Sequence, residues 1–313
     1  MKNDIVHVSV GNLNIDIAIY VDSIPGPDES AFARDLDIRP GGAATNYAVA
    51  AAQYGHSVFL VASVSKEPLA QSALKLVENY GVKTNYVKLV DEPPGVVLII
   101  VYPSGERSMI RYQGANRLLS HEDVSDNLIR EAHVVHFASV PPSLVERVAR
   151  RARRYSVMVT YDPGGFINEV LPEHLEGVTT LFLNERELES VKSRFKVETL
   201  IKRGLQIIAI KRGARGAVVL ESSGACYSGV STPIRRPVDS TGAGDAFDAF
   251  FNAKYIEAKS PFEALRYALA AGALKTGYRG SFLLFDKDMF QLQLEKTVVE
   301  RSRECLDILG RSS

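Results

Sequence analysis

The amino-acid sequence predicts a three-layer α/β/α fold, with a mostly parallel central sheet and a small β-sheet lid. Short β-branched runs alternate with helical segments along most of the chain. These runs are apolar on both faces, which is typical of parallel strands covered by helices on two sides. Two other stretches carry strand-like runs with no helix between them. We expect residues 1–313 to form one domain.

The elements of the central sheet follow one another in regular order. Strands are predicted at residues 5–10, 58–63, 134–137, 157–161, 180–183, 207–210 and 217–220, and helices at residues 67–80, 142–155 and 185–195. A last helix begins near Pro261, which suits a first helical turn, and ends near Gly277. Strands that alternate with helices in this way form βαβ units and hence a parallel sheet.

The lid is predicted from residues 17–38 and 96–112, which have the strand-like runs without a helix. The segment Pro103-Ser104-Gly105-Glu106 predicts a hairpin turn between two of these runs. An edge hairpin that only covers the main sheet fits the same pattern, so both alternatives stay open at this point.

Composition excludes several classes of protein. Lys and Arg together number 37, as do Asp and Glu, so the formal net charge is zero. Bulk attraction to nucleic acid or to anionic lipid is therefore not expected. The longest strongly apolar run, residues 96–102, is far shorter than the ~18 residues of a membrane-spanning helix. The first residues lack the apolar core of a signal peptide. We expect a cytoplasmic protein without nucleic-acid or membrane partners.

The cysteines point to the same compartment. Cys226 and Cys305 are the two cysteines of the chain, and they form no CxxC pair. Thiols this sparse argue against a disulfide framework and favour a reducing compartment.

The most informative segment is Asp239-Ser240-Thr241-Gly242-Ala243-Gly244-Asp245, which runs directly into an apolar helix. Glycines let an anion approach the backbone N–H groups, and a helix N-terminus adds partial positive charge. Asp245 repels phosphate but can accept a proton from an attacking hydroxyl, if its pKa stays well below 7. An ordinary glycine-rich turn is the structural alternative. A chance match rate of roughly 0.4% favours function.

Two segments near the N-terminus predict recognition of hydroxyl groups. Gly41 and Gly42 open a helix in which Asn46 offers both a donor and an acceptor. Asn14 and Asp16 follow the first strand, at the edge where ligands of open α/β sheets bind. Each segment taken alone also fits an ordinary helix start or a turn stabilised by Asn and Asp side chains.

Two weaker segments follow later strands. Asn184 and Glu187 come after residues 180–183 and could hold hydrated Mg²⁺ near phosphates. An Asn cap with acidic residues in the first turn is also a routine helix start, which is the better local interpretation. Lys211, Gly213 and Gly216 fit either a turn that contacts phosphate or a plain β-turn.

Together, and in this order, these segments resemble the ribokinase-like (PfkB) family of carbohydrate and nucleoside kinases. The Gly41-Gly42-x-x-x-Asn46 segment resembles the first signature of that family, and the segment from Asp239 to Asp245 resembles the second. The resemblance extends from about residue 6 to residue 281. It implies a ribokinase-like fold with a β-lid, and ATP-dependent phosphoryl transfer to a terminal hydroxyl of a small sugar or sugar acid.

The resemblance also implies a role for each matching residue. Asp245 would take the proton of the substrate hydroxyl, while Gly242, Ala243 and Gly244 would donate N–H groups to the transferred phosphoryl group. The sugar would be bound by Asn14, Asp16, Gly41, Gly42 and Asn46. Asn184 and Glu187 match an N-x-x-E motif that is linked to Mg²⁺ and phosphates. Gly213 and Gly216, beside Lys211, match a turn near the nucleotide.

Two further expectations follow from the same resemblance. Asp239, with backbone carbonyls of residues 276–281, resembles a loop that binds a monovalent cation such as K⁺ in many members. The lid would also provide the contact of a homodimer.

Departures from the family pattern bear on the substrate. Ala43 and Ala138 stand where ribokinases carry a lysine and a sugar-binding glutamate, which argues against ribose. Arg111 and Tyr112 suggest an acidic sugar instead, so Arg111 is a predicted substrate-binding residue. Lys211 stands where the family often carries threonine.

Two alternatives remain beside the sugar kinase. A nucleoside kinase would need apolar or aromatic lid residues around a base, for which Phe32, Tyr102, Met109 and Tyr112 are candidates. A catalytically silent sugar-binding protein is the alternative from another class, and the intact Asp245 with its glycine turn argues against it.

Overall fold

The computed structural model of the protein describes residues 5–103 and 107–305. These residues form a ten-stranded sheet, a four-stranded sheet and a two-stranded pair. The hairpin turn predicted at residues 103–106 lies mostly outside the described residues.

The strands are β1 (Val6–Gly11), β2 (Asn14–Tyr20), β3 (Asp35–Gly41), β4 (Ser57–Val61), β5 (Ser63–Ser65), β6 (Val82–Lys83), β7 (Lys88–Val90), β8 (Gly95–Val101), β9 (Arg107–Tyr112), β10 (Val134–Ala138), β11 (Met158–Asp162), β12 (Thr180–Asn184), β13 (Ile207–Lys211), β14 (Ala217–Glu221), β15 (Cys226–Ser231) and β16 (Thr297–Arg301). The α-helices are α1 (Ala43–Tyr54), α2 (Pro68–Asn79), α3 (Asp126–Glu131), α4 (Pro142–Ala152), α5 (Glu185–Lys192), α6 (Val197–Lys202), α7 (Ala243–Ala258), α8 (Pro261–Thr276) and α9 (Lys287–Glu295). Short 3₁₀ turns cover Gly114–Leu118, His121–Asp123, Gly164–Glu169, Pro172–Leu175 and Gly213–Arg215.

The central sheet has the strand order β16-β15-β14-β13-β12-β11-β10-β1-β4-β6. All neighbours from β6 to β13 are parallel. The last three strands extend one edge in antiparallel fashion. The prediction of a mostly parallel sheet is thus confirmed.

The two faces of this sheet pack into separate cores. Val8 and Val10 of β1 pack with residues of α3, α4 and α5 on one face. Phe182 of β12 points the other way and packs against Phe251 of α7. Residues of α1, α2 and α9 extend the core on that second face. Because strand side chains alternate between faces, each apolar run covers both cores, and three layers result.

The lid is the four-stranded sheet β3-β2-β8-β9. It contains both stretches that the sequence assigned to a lid, but β2 and β3 are longer than predicted. β2 begins at Asn14 instead of residue 17, and β3 continues to Gly41 instead of residue 38. The added residues are polar or glycine, so an apolar pattern does not include them. As a result, the strands of the lid themselves carry predicted sugar-binding residues.

Several other boundaries differ by a few residues. α4 ends at Ala152 and α5 at Lys192, earlier than predicted. The predicted strand at residues 58–63 divides into β4 and β5, and β5 leaves the central sheet to pair with β7. α8 spans Pro261–Thr276 with Gly277 at its C-terminal cap, as predicted. Within residues 5–103 and 107–305, no helix combines the length and apolarity needed to cross a membrane.

The sequence argument against disulfides is wrong. Cys226 and Cys305 form a disulfide between β15 and the segment after β16. The antiparallel pairing of these strands returns the chain to Cys226, whose carbonyl accepts a hydrogen bond from Ser302 N–H at 3.0 Å. The cysteines are 79 residues apart in sequence. Spacing motifs therefore give no sign of the pairing, and the argument for a reducing compartment loses its basis.

Candidate active site

The candidate active site lies beneath the lid, at the carboxyl ends of the parallel strands. A cavity of about 590 Å³ separates the lid from this edge of the sheet. Predicted site residues that line it are Asn14, Asp16, Gly42, Asn46, Arg111, Gly242 and Asp245. The fold therefore brings into one cavity residues that come from four separate segments of the chain.

Gly242 shapes the turn that precedes α7. Its φ of 77° lies in the left-handed region, and a Cβ there would lie 1.9 Å from the carbonyl oxygen of Ser281. Glycine is thus required by the backbone and by a neighbouring loop, in addition to any anion that approaches. The N–H groups of Gly242 and Gly244 lie at the positive end of α7. The Ala243 N–H already donates to the Ser240 carbonyl at 3.2 Å. We call residues 242–244 the nest.

Asp245 lies in the first turn of α7, on the wall of the cavity. The side-chain amide of Asn46 donates a hydrogen bond of 2.7 Å to its Oδ2. Enclosure by protein raises the pKa of Asp245 to about 6; the charge of Asp162 adds to this rise and the Asn46 hydrogen bond opposes it. The carboxyl is thus more enclosed and less acidic than we expected from the sequence. Its ionised form still dominates at pH 7 and can accept a proton.

Two buried acceptor atoms face this cavity without a protein donor. Oδ1 of Asp16 and Oδ1 of Asn46 have no hydrogen-bond partner among the described residues. An unpaired buried acceptor costs on the order of 1–3 kcal/mol, so both sites favour a ligand that brings hydroxyl donors. Gly41 makes room for the Asp16 carboxylate, because a Cβ at position 41 would lie 2.0 Å from its Oδ2 and 2.6 Å from its Oδ1. Burial, with the charge of Asp245, raises the pKa of Asp16 to about 7.

Asn14 is held in place by a residue that the predicted set of site residues did not include. Its Oδ1 accepts a hydrogen bond of 2.7 Å from the Asn116 amide. The Asn116 Oδ1 in turn accepts from Leu13 N–H at 3.2 Å. These bonds fix the orientation of the Asn14 side chain, so its NH₂ group faces the cavity as a donor.

Arg111 brings a positive charge to the rim of the cavity. It lies on β9, is exposed, and lowers the pKa of Asp16 against the effect of burial. Its Nη1 would lie 3.3 Å from a Cβ on Gly165, beyond the end of β11. Met109 and Tyr112 line the same wall, whereas Phe32 is 99% exposed and does not line the cavity.

Asn184 and Glu187 form a reciprocal cap at the start of α5. Asn184 Oδ1 accepts from the Glu187 N–H at 3.0 Å, and Glu187 Oε2 accepts from the Asn184 N–H at 2.8 Å. The local interpretation as a helix start is thus correct. Burial and the nearby charge of Asp162 nevertheless raise the pKa of Glu187 to about 7. The rise comes mainly from burial, because the neighbouring Asp162 is itself paired with Lys211.

The Lys211 ammonium is held below the nest by two carboxylates. Its Nζ is 2.6 Å from Asp162 Oδ2 and 3.0 Å from both oxygens of Asp248. It also lies 3.5 Å from where a Cβ on Gly244 would be. Burial alone would raise the pKa of Asp162, but Lys211 lowers it on balance. Lys211 thus sits beside the predicted phosphate site with its charge already neutralised by Asp162 and Asp248.

The predicted nucleotide turn connects β13 and β14. Gly216 has a φ of 81°, and a Cβ there would lie 1.9 Å from the Gly229 carbonyl oxygen. Gly213 has a φ of 60° with open space around it. Gly216 is thus needed because a side chain there would clash with β15, whereas Gly213 is needed for its left-handed backbone alone.

Asp239 stabilises the loop that leads into the nest. Its Oδ1 accepts hydrogen bonds from the Thr241 N–H and from Arg107 of the lid, at 2.9 and 3.1 Å. Its Oδ2 accepts from the Gly280 N–H at 2.9 Å. Burial raises the pKa of Asp239, but the hydrogen bonds from Thr241 and Gly280 and the charge of Lys275 lower it on balance. In residues 5–103 and 107–305, no three His, Cys, Asp or Glu side chains are grouped as a metal site.

Five contributors to the site were not in the predicted set: Asn116, Arg107, Asp162, Asp248 and Lys275. Arg107 donates to Ser240 and Thr241 as well as to Asp239, so it joins the lid to the nest loop. Asp162 ends β11 on the same edge as Asn184 and Lys211, and the strand-end rule could have found it. Lys275 lies inside an apolar helix, where no local signal marks its contacts.

Comparison with known proteins agrees with this geometry. The pattern of the pfkB family carbohydrate kinases matches residues 6–286. The chain belongs to the pfkB family of carbohydrate kinases. It is 31% identical over 277 residues to an ATP-dependent ribose-1-phosphate kinase of Halopiger xanaduensis, covering 88% of this chain and 93% of that protein.

Solved structures give the same result. Arabidopsis thaliana ribokinase complexed with ribose and ATP is 26% identical, with a TM-score of 0.82 over 93% of this chain and 99% of that one. A nucleoside kinase of Methanocaldococcus jannaschii is 20% identical with a TM-score of 0.80, over 93% of this chain and 98% of that one, and supports the fold alone. This pfkB-family protein is therefore an ATP-dependent kinase of a sugar or nucleoside, as the sequence predicted.

Proposed function

We propose that the whole chain acts as one kinase domain that phosphorylates a terminal hydroxyl of a small sugar carrying an anionic group. The observation that carries this proposal is the pair of buried, unpartnered acceptors, Asp16 Oδ1 and Asn46 Oδ1, beside Asp245. Acceptors without donors fit a polyol, because each sugar hydroxyl brings a donor.

The transfer needs one proton acceptor and one anion site, and both adjoin the cavity. The substrate hydroxyl loses its proton to Asp245 as its oxygen attacks the γ-phosphorus of ATP. The bond from that phosphorus to the β–γ bridging oxygen breaks, and ADP leaves with its electron pair. The N–H groups of Gly242 and Gly244 stabilise the negative charge on the transferred group, since the Ala243 N–H already donates to Ser240. Asp245 then releases its proton to solvent.

The nucleotide and its cation would lie on the other side of the nest. The ends of β12 and β13, with Gly213 and Gly216, would take the ATP phosphates. Glu187, at the start of α5, would hold hydrated Mg²⁺ near the phosphates, because carboxylate oxygens suit this ion. Asp162 lies near it but already accepts hydrogen bonds from Lys211 Nζ and the Gly164 N–H. The remaining ligands would be water and phosphate oxygens, as is usual for Mg²⁺. When bound, the ion would neutralise charge on the phosphates.

Arg111 favours an anionic substrate over a neutral sugar. Its guanidinium lines the cavity, with no carboxylate of the described residues within ion-pair distance. A charged sugar substituent, either a carboxylate or a phosphate, would pair with it. The name of the Halopiger xanaduensis relative, ATP-dependent ribose-1-phosphate kinase, describes a substrate that is a sugar with a phosphate group. A nucleoside remains the second candidate, because Met109 and Tyr112 line the same wall.

A substrate panel tests this proposal. Release of ADP would be measured with ATP and Mg²⁺ on ribose 1-phosphate, 2-keto-3-deoxygluconate, ribose and adenosine. We expect turnover on an anionic sugar, and Arg111→Gln should raise its KM by roughly 10- to 100-fold, the value of a charge-assisted hydrogen bond. The control Arg150→Gln removes an arginine of α4 that does not line the cavity. Preference for adenosine or for ribose would reject the anionic substrate.

We also propose that two copies of the chain associate through the outer face of the lid. Asp16, Asp37 and Arg111 face the cavities, so the alternate residues face outward. Apart from Ser108 of β9, most of these outward residues are apolar: Ile19, Leu36, Ile38, Leu98, Ile100 and Ile110, with Ile17 at the edge where the face meets the core. Leu36 and Ile110 are 56% and 61% exposed. A contiguous apolar sheet face of this kind suits a second, identical face.

Light scattering on a single substitution tests the dimer. We expect a dimer for the wild-type protein and a monomer for Ile110→Glu, because a buried carboxylate without a partner is costly. Leu292→Glu changes a leucine of α9 that is 49% exposed, and should stay dimeric. A monomeric wild-type protein, or a dimeric Ile110→Glu, would reject the lid contact.

We propose the cytoplasm as the location, since this is where ATP is available. The buried disulfide is compatible with it, because intracellular proteins of some hyperthermophiles are rich in disulfides.

A further inference from the structure

A lysine ammonium lies where the sequence predicted a monovalent cation. Lys275 is in the last turn of α8 and its side chain is 0% exposed. Its Nζ donates to the carbonyl oxygen of Asp239 at 3.0 Å and to that of Tyr278 at 3.2 Å. Both carbonyls belong to the loops for which K⁺ was expected, residue 239 and residues 276–281.

These two loops pack against the nest on the side away from the cavity and contact each other. The N–H groups of Val238 and Asp239 donate to the Thr276 carbonyl at 2.7 and 3.1 Å. The Gly280 N–H donates to Asp239 Oδ2, and the Ser281 carbonyl lies against Gly242. A positive charge at the junction of the two loops therefore orders the backbone that presents the nest to phosphate.

The residues present do not fit a resident monovalent cation. K⁺ and an ammonium group would need the same carbonyl oxygens, and like charges at such short distance repel. The Lys275 side chain is tethered in the site by the end of α8, where the helix dipole also favours a cation. Arginines also lie near these loops: Arg107 pairs with Asp239 Oδ1 on the lid side, and Arg39 pairs with Asp37 and lies against Gly280.

We propose that Lys275 takes the place of the monovalent cation, so that this kinase needs none. The inference rests on the proposed function for its catalytic consequence, but the occupancy of the site can be measured without catalysis. Lys275 is a positioning residue, since it acts through the loop carbonyls and does not reach the substrate.

Salt replacement tests the wild-type protein first. Turnover would be measured in tetramethylammonium buffer and then with 100 mM KCl, NaCl or CsCl at constant ionic strength. We expect kcat to vary by less than about twofold. A rise of tenfold or more with K⁺ would overturn the proposal.

Two variants at position 275 then distinguish the loss of the positive charge from the loss of side-chain volume. Lys275→Ala leaves the carbonyls free and opens room, so we expect at least a tenfold loss of kcat without added cation. Addition of K⁺ or ammonium should raise the kcat of Lys275→Ala at least threefold. Lys275→Met fills the same space without charge and should not be restored. If Lys275→Ala keeps full activity, or if no cation restores its activity, the proposal that Lys275 takes the place of the cation is wrong.

Thermal unfolding gives a readout independent of activity. The melting temperature of Lys275→Ala should rise with K⁺ relative to tetramethylammonium, while those of the wild-type protein and Lys275→Met stay constant. If no sugar or nucleoside is turned over, the proposed function fails while this selective shift still supports the cation site. Absence of the shift in Lys275→Ala would reject the cation site while turnover stands.

Discussion

Replacing Asp245 with asparagine is expected to lower kcat by 10²- to 10⁴-fold, the range for loss of a positioned general base. Asparagine has the same shape and keeps the acceptor oxygen that the Asn46 amide contacts at 2.7 Å. It cannot take a proton from the substrate hydroxyl. We therefore expect KM for the sugar to change by less than about threefold, and the loss to fall on turnover alone.

The pH dependence of the wild-type protein provides the second part of this test. Enclosure raises the pKa of Asp245 to about 6, and the base must be ionised to work. We expect kcat/KM to fall as the pH drops through about 6. A raised carboxyl pKa also means that unfolding free energy is lost as the pH rises from the unfolded pKa of Asp245 to about 6, and that this cost of ionisation persists in full above pH 6. Asp245→Asn should therefore melt no lower than the wild-type protein at pH 7.5.

This stability measurement makes the kinetic result interpretable. An inactive Asp245→Asn protein that melts normally and binds the sugar supports the role of the base. Turnover within tenfold of wild type would exclude Asp245 as the base, whatever the pH profile.

The strand and helix pattern was predictable because it depends on local periodicity. Runs such as residues 207–210 are apolar on both faces since they lie between two helical layers, and this leaves a direct trace in the sequence. The nest was predictable for a similar reason. Gly242 and Gly244 lie next to Asp245 in the chain, so one short segment contains the anion site and the base.

Contacts between distant segments were beyond local patterns. Asn46 and Asp245 are 199 residues apart, and only the packing of α1 on α7 brings their side chains together. The pairing of Cys226 with Cys305 depends in the same way on the antiparallel edge of the sheet. Lys275 gave no signal, because a lone lysine in a helix is usually solvated, and its two carbonyl partners are set by loop geometry.

Gly242→Ala is expected to lower kcat by at least 10²-fold, comparable to the loss of one donor from an oxyanion hole. The added Cβ would lie 1.9 Å from the Ser281 carbonyl oxygen, so the turn or the loop must move. Either movement displaces the N–H groups of the nest from the transferred phosphoryl group. The left-handed φ of 77° adds a backbone cost on the order of 1 kcal/mol.

Gly224→Ala is the matched control for the backbone cost. Gly224 has a φ of 89°, and a Cβ there meets nothing within 4 Å. This variant should lose a similar ~1 kcal/mol of unfolding free energy and keep its kcat. If Gly242→Ala also keeps kcat within twofold, the nest does not stabilise the transferred group. If both variants lose activity in parallel with stability, backbone strain explains the effect, and the clash with Ser281 has no separate part in catalysis.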